Sequence, residues 1–488
     1  ETGKDGKYQR TMLVHNSACY QAMVSMVHLN YPLIFGSGNF GTLVDGAAAQ
    51  RYCVTGDTYI YTDKGMIKAK DLFGDRIPVA CKSYPLTSEE QVKTPSLNGE
   101  YKSITNVIYS GLHSTITINT NNSVPLTSTR NHPYLVCRET GFEWVEAQDI
   151  KVGDYVCTTN LTCYSDYEPI TSKEALFLGL LIGDGWVTDY TIGFNNTSKR
   201  VNAFMKKAFI DFLGHTPLES FVKREGGKPY REITINSKQL VSYLSEHYSV
   251  QSGNSQTRRV PDFIFKSSKN IVTNFLSGLY ESEGTISIED VSLSSSSLQL
   301  LEDVRHLLQG FYNIRSSISV DSKDDDNQAT CYKLYVTGHH QVVTLLNNLT
   351  FVSKRKAKLA EQWLQKTIAN TAGNSKRDII PFVDKSPKGY EVHKTRHKFL
   401  ENFNLYRTDL KDKYRHHYEG NYIYSEVIDV VSNTSKVPVY DVTVPGTHAF
   451  CANGYIVHNT EARLDQYADD VFFHPDYINV TDTTGNFD

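Results

Sequence analysis

The hydrophobic pattern divides the chain into stretches of different period. From Cys53 to about residue 160, short β-branched and aromatic runs are split by Gly, Asp and Asn, as in TYIYT at 58–62, SVPLTSTRNHPYLVC at 123–137 and GDYVCTTN at 153–160. Runs of this kind predict an all-β unit. From about residue 172 the period lengthens. ALFLGLLIGDG reads as a helix, TIGFNN and REITIN as strands, and VNAFMKKAFIDFLG as an amphipathic helix. The same order returns in NFLSGLYESEG, TISIEDVSLSS, LQLLEDVRHLLQGF, SSISV and CYKLYVTG, so an internal duplication with units of about 100 residues is expected. A basic, polar stretch from Ser375 to Gly420 reads as a link to renewed β sequence, YIYSEVIDVV and VPVYDVTV. Ahead of Cys53, Gly36, Gly38, Gly41 and Gly46 predict irregular backbone before an Ala-rich helix start.

Composition changes this picture little. The 40% hydrophobic and 21% charged residues are ordinary for a globular chain, and 488 residues leave room for roughly three domains. No apolar run approaches the roughly 20 residues of a membrane helix, so no membrane partner is expected. The chain opens at Glu1 without a basic-then-apolar leader or a Met, and is expected to be part of a longer polypeptide. The formal charge of −4 conceals an uneven distribution: residues 172–419 carry 34 Lys and Arg against 27 Asp and Glu. A basic middle between acidic flanks is expected to meet phosphate. The eight cysteines are scattered with no CxxC pair, which indicates neither a zinc site nor a disulfide scaffold and fits a reducing cytoplasm.

The boundaries of the β sequence carry the chemistry. AAAQRY (Ala47 to Tyr52) precedes Cys53, TEARL (Thr460 to Leu464) follows Asn459, and HAFCANGYIVHN closes the interval. A thiol at one end, a cyclisable amide at the other and a hydroxyl just beyond it suit a sequence of acyl transfers. TRNH (Thr129 to His132), VYDVTV with Asp441, His448 and His458 add groups able to move protons near neutral pH. This constellation resembles an intein. The resemblance implies a horseshoe-like, all-β HINT splicing domain and assigns roles. Cys53 attacks the Tyr52 carbonyl, and His132 of the TxxH motif protonates the departing nitrogen that Thr129 orients. Asp441 stands near the first scissile bond, while His448 and His458 assist Asn459 cyclisation. Thr460 takes the acyl group, and splicing needs no cofactor.

The repeated helices resemble the paired motifs of LAGLIDADG homing endonucleases, FLGLLIGDG at 177–185 and FLSGLYESEG at 275–284. Gly179, Gly183 and Gly278 allow close helix packing, and each helix end delivers one acid, Asp184 and Glu283, to a shared point. The resemblance implies that these carboxylates hold Mg²⁺, and that basic residues stand nearby: Arg258, with either Lys354 or Lys356. Double-stranded DNA, the rejoined host coding sequence, is the implied substrate.

The flanks, joined as AAAQRYTEARL, resemble the active-site tyrosine segment of type IIA DNA topoisomerases, the gyrase A and topoisomerase IV A-type subunits. Tyr52 matches the DNA-attacking tyrosine and Arg51 the adjacent cation, with His15 an upstream match in a divergent context that points to a viral or distant host. Partner topoisomerase subunits are expected after splicing, in a bacterial or phage-infected cytoplasm. The expected fold is therefore mixed. It places a host segment at 1–52, splicing halves at 53–165 and 421–459, a pseudo-twofold α/β endonuclease with its linker at 166–420, and a second α-rich host segment at 460–488. Two competing readings stand beside this one. The first is an ATP-dependent type II topoisomerase with an incidental or endonuclease-dead insert. The second is a Hedgehog-type autoprocessing domain, which needs neither the terminal Asn nor the following Thr.

Overall fold

The computed structural model describes residues 52–460, less 81, 223–229, 288–289, 323–329, 369–378, 385–386 and 388–394. Its largest feature is a 12-stranded sheet built from both ends of that span. The spine is an antiparallel ribbon of two long strands, Asn106–Thr120 and Tyr422–Thr443. Ile116 and Ile118 alternate with Thr117 and Asn119 to turn one face inward, and register shifts around Val427 and Val439 bend the ribbon. The short strand Val54–Thr55 lies between this ribbon and the strand Leu126–Thr129, pairing Val54 with Tyr440 and Ser128. The residues that open the β sequence are thereby fixed beside those that close it. One apolar core, with Val54, Ile60, Ile118, Val156 and Val457, fills the concavity.

The duplication expected from about residue 172 takes the form of two four-stranded antiparallel sheets with the same strand order. The first uses Gly185–Val187, Thr191–Asn196, Tyr230–Asn236 and Leu218–Val222; the second uses Gly284–Ile286, Asp290–Ser295, Cys331–Thr337 and Ser317–Ser322. Each sheet follows one of two central helices, α1 (Ser172–Asp184) and α2 (Lys269–Ser282). A capping box between Thr171 and Glu174 starts α1, and the Ser268 side chain accepts the Ile271 amide at the start of α2. A Cβ on Gly179 would lie 2.1 Å from Phe275 O, and one on Gly278 2.4 Å from Leu176 O, so the helices touch backbone to backbone.

The helical unit rests on the large sheet through buried polar contacts. Gln309 accepts from the Val124 amide at 3.0 Å and donates to Asn453 O at 2.8 Å. Arg315, 2% exposed, donates to Ser123 Oγ at 2.7 Å and Thr158 Oγ1 at 3.2 Å. The chain leaves the sheet at Asn160 and returns at Asn421, whose side chains hydrogen-bond at 3.2 Å.

One expectation is corrected here. The stretch read as a polar link contains helices at Arg396–Asn402 and, as α3, at Thr408–Glu419. Phe399, Phe403, Tyr406, Leu410 and Tyr414 recur at helical spacing and are buried, while the Lys and Arg between them face outward and mask the period.

Candidate functional site

The two ends of the 53–459 interval meet. The Tyr52 amide donates to Thr460 Oγ1 at 3.0 Å, so the hydroxyl of the downstream residue meets the residue whose carbonyl forms the upstream junction. Cys53 is fully buried, and its thiol lies 3.1 Å from Ser110 Oγ on the long ribbon. Its amide, the nitrogen of the Tyr52–Cys53 bond, donates to Thr129 Oγ1 at 3.1 Å, while the Thr129 amide donates back to Cys53 O at 2.9 Å. His132 follows one turn later and is also fully buried. Neither ring nitrogen has a hydrogen bond of ordinary geometry, and burial holds His132 down to about 3 against a weaker upward pull from the Cys53 backbone. The Tyr52 ring meets those of His132 and His458 edge to face, at 6.4 and 6.0 Å.

At the other end Asn459 is fully buried and held on three sides. Its amide donates to His448 O at 2.8 Å, its Oδ1 accepts from Val444 N at 3.4 Å, and its Nδ2 donates to Thr460 O at 2.9 Å. His458 Nδ1 lies 2.6 Å from the Asn459 carbonyl oxygen, and its ring packs against Trp144 at 4.9 Å and His448 at 6.0 Å. Asp441 reaches the second scissile bond. Its carboxylate accepts from the Thr460 amide at 3.2 Å, at the second bond, and from Val442 N at 2.8 Å. The ribbon brings it there from the strand whose Tyr440 pairs with Val54, next to Cys53.

The second cluster lies where α1 and α2 end. Burial raises the Asp184 carboxyl, opposed by a hydrogen bond from Asn196 Nδ2 at 2.5 Å. Glu283 is pushed up to about 7 by burial and then by Asp184, so the two acids sense one another. Arg258 donates to Gly183 O and Gly185 O, at the end of α1. Lys356 does the same for α2, with Nζ 2.8 Å from Tyr280 O and 3.3 Å from Ser282 O, and burial lowers it to about 8. Each cation thus occupies the carbonyl-rich, negative end of a helix. Among the described residues neither forms an ion pair with Asp184 or Glu283, which leaves carboxylate oxygens of the kind a hard divalent cation accepts. Lys354 is exposed, outside this cluster, because two positions along a helix turn a side chain to the opposite face.

Arg51 and His15 lie outside the described residues, and Tyr52 and Thr460 are the last described positions of the flanks. Ser110, Trp144 and Asn196 join the two sites without any signal in spacing, since long-range strand pairing places them there. Ser110 is buried where the ribbon's register shifts between Val439 and Tyr440, a break in the alternation.

The model of the intein splicing domain family matches residues 61–459. The DNA gyrase A protein of Mycolicibacterium flavescens is 26% identical over 501 residues, covering 93% of this chain and 85% of that one. The DNA gyrase A protein of Mycobacterium leprae is 25% identical over 517 residues, covering 97% of this chain, which spans 38% of that larger protein. Among solved structures, I-DmoI in complex with DNA and calcium is 21% identical, with 40% of this chain covering all of that one at a TM-score of 0.30.

Proposed function

The chain belongs to the intein splicing family, and from that premise we propose that it excises residues 53–459 and joins Tyr52 to Thr460 by a peptide bond. The observation that carries this reading is the Tyr52 N–H to Thr460 Oγ1 contact of 3.0 Å across the whole interval. Cys53 Sγ adds to the Tyr52 carbonyl carbon, the C–N bond to Cys53 breaks, and a thioester forms. The thiol proton passes to neutral His132 and from there to the freed Cys53 amine, while Thr129 Oγ1 holds that nitrogen throughout. Thr460 Oγ1 then attacks the thioester and releases the Cys53 thiol. Asn459 Nδ2 next attacks its own carbonyl carbon, breaking the Asn459–Thr460 bond. His458 Nδ1 polarises that carbonyl oxygen, His448 orients the His458 ring and the Asn459 amide, and Asp441 holds the leaving Thr460 nitrogen. The Thr460 amine finally attacks the ester to leave an ordinary amide.

The folds follow the same reading. The large sheet is a HINT-type splicing domain in two sequence halves, and the pseudo-twofold unit between them is a LAGLIDADG-type DNA endonuclease. Asp184 and Glu283 would hold Mg²⁺, which supplies activation of water and stabilisation of the leaving oxygen. Arg258 and Lys356 fix the helix ends that carry those acids. The flanks are a piece of a topoisomerase A-type subunit, with Tyr52 and Arg51 as its DNA-cleaving pair. ATP-driven strand passage with partner subunits belongs to the spliced, full-length host in a reducing bacterial or phage-infected cytoplasm.

Mass spectrometry of the intact chain after expression tests the splicing reading. The expected products are the 53–459 insert and a ligated species containing Tyr52–Thr460. Persistence of unspliced precursor alone, with native Cys53 and Asn459, would refute it.

A further inference from the structure

Cys137 on the strand Pro133–Arg138 faces His416 and His417 in the last turn of α3. One ligand-type atom from each of the three lies within 4.8 Å of the others. Cys137 is fully buried and His417 is 2% exposed, and Phe142, Phe399 and Tyr424 wall the group from solvent. The polar atoms are not satisfied among themselves. Cys137 Sγ is 3.9 Å from His417 Nδ1, Tyr424 Oη is 3.1 Å from that same nitrogen, and the Nε2 atoms of both histidines are buried without a partner. Such orphans are costly in a dry interior.

We propose that Cys137, His416 and His417 form a binding site for a borderline divalent cation of the zinc class, which fastens α3 to the splicing sheet. The spacing suits it. A sulfur and a nitrogen bound to one tetrahedral zinc stand about 3.6 Å apart, given bonds of about 2.3 and 2.0 Å. The 3.9 Å between Cys137 Sγ and His417 Nδ1 needs only slight closure. The donor set is thiolate and imidazole with no carboxylate, which favours zinc over Mg²⁺ or Ca²⁺. Burial keeps both imidazoles neutral, His417 being lowered to about 3, and neutral imidazole is the ligating form. The Cys137 thiol, pushed up to about 12, must give its proton to solvent as the cation binds. Tyr424 Oη, 3.1 Å from His417 Nδ1, must release that nitrogen as the cation binds. Scattered cysteines concealed this set, because its members are 280 positions apart in sequence.

The test uses the full chain carrying Cys53→Ala, which blocks splicing and removes the junction thiol. The metal-free protein is titrated with Co²⁺. A thiolate-to-cobalt charge-transfer band with tetrahedral d–d bands is expected, with loss of both on adding Zn²⁺ and loss of the charge-transfer band in a further Cys137→Ser variant. Peptide-level hydrogen exchange on the Cys53→Ala chain needs no second substitution. Zn²⁺ should slow exchange in 133–138 and 408–419 severalfold. No band at Co²⁺ saturation, a band indifferent to Cys137→Ser, or unchanged exchange in 408–419 would each overturn the assignment.

Discussion

Replacing Gly278 with alanine drives a methyl group into the backbone of the neighbouring helix. The added Cβ would stand 2.4 Å from Leu176 O, 2.7 Å from Leu180 N and 2.8 Å from Gly179 Cα, and none of these is a side-chain end able to swing aside. A carbon and a carbonyl oxygen settle at about 3.3 Å or more, so α1 and α2 must part by about 0.9 Å. Overpacking of this kind costs about 1–3 kcal/mol. For a unit of this size each kcal/mol lowers the melting temperature by about 2–4 °C. The same displacement separates Asp184 from Glu283, and a misplacement of about 1 Å in a catalytic pair costs on the order of 10²-fold in rate. The assays are a calorimetric melt of the excised insert and Mg²⁺-dependent cleavage of plasmid DNA carrying the rejoined host sequence. Splicing of the intact variant reports that the large sheet has still formed. An unchanged melt with cleavage within twofold of the native protein would refute backbone contact between the helices.

Thr129→Val keeps the shape but removes the acceptor of the Cys53 amide; thioester formation, followed by thiol-induced cleavage at Tyr52, should slow about 10–100-fold, as loss of about 1.5–3 kcal/mol predicts. Equal rates would deny Thr129 that role. For Glu283, whose folded carboxyl is raised to about 7, the native state binds more protons than the unfolded one between its ordinary 4.5 and 7. Metal-free stability should therefore fall as pH rises through that window, and Glu283→Gln should flatten the fall while abolishing DNA cleavage. Denaturant melts in chelator at several pH values check this, and an unaltered slope would count against it. Lys356→Ala should lose cleavage and about 1–3 kcal/mol of stability by stranding the α2 carbonyls, whereas exposed Lys354→Ala should stay within about 0.5 kcal/mol. Matching losses in both variants would reverse that assignment.

The sequence made the junction legible because its chemistry is terminal: only a nucleophile at Cys53, an amide at Asn459 and a hydroxyl at Thr460 can serve those positions. The helix pair was legible from Gly179, Gly278 and the acid ending each motif. Pairing register was not. Nothing in VPVYDVTV says that Asp441 reaches the Thr460 amide, since that depends on which residue Tyr440 opposes across the ribbon. Lys354 and Lys356 were indistinguishable as letters, and the helix phase decides between them. The aromatic period of 396–419 was present in the sequence but hidden among Lys, Arg and His.

The hydrogen bond between Asn160 and Asn421 places the exit and re-entry of the middle unit at adjacent points on the sheet. A guest domain hung from two neighbouring posts imposes no strain on its host, whatever its size, because loop closure rises only logarithmically with length and a folded guest closes its own loop. Gain or loss of the guest in evolution can therefore leave the splicing register untouched. The burden falls elsewhere, on the Val124 amide and the Asn453 carbonyl, which Gln309 now satisfies. A lineage that sheds the guest would have to refill those two positions, and substitutions near 124 and 453 are where the trace of such a loss would be written.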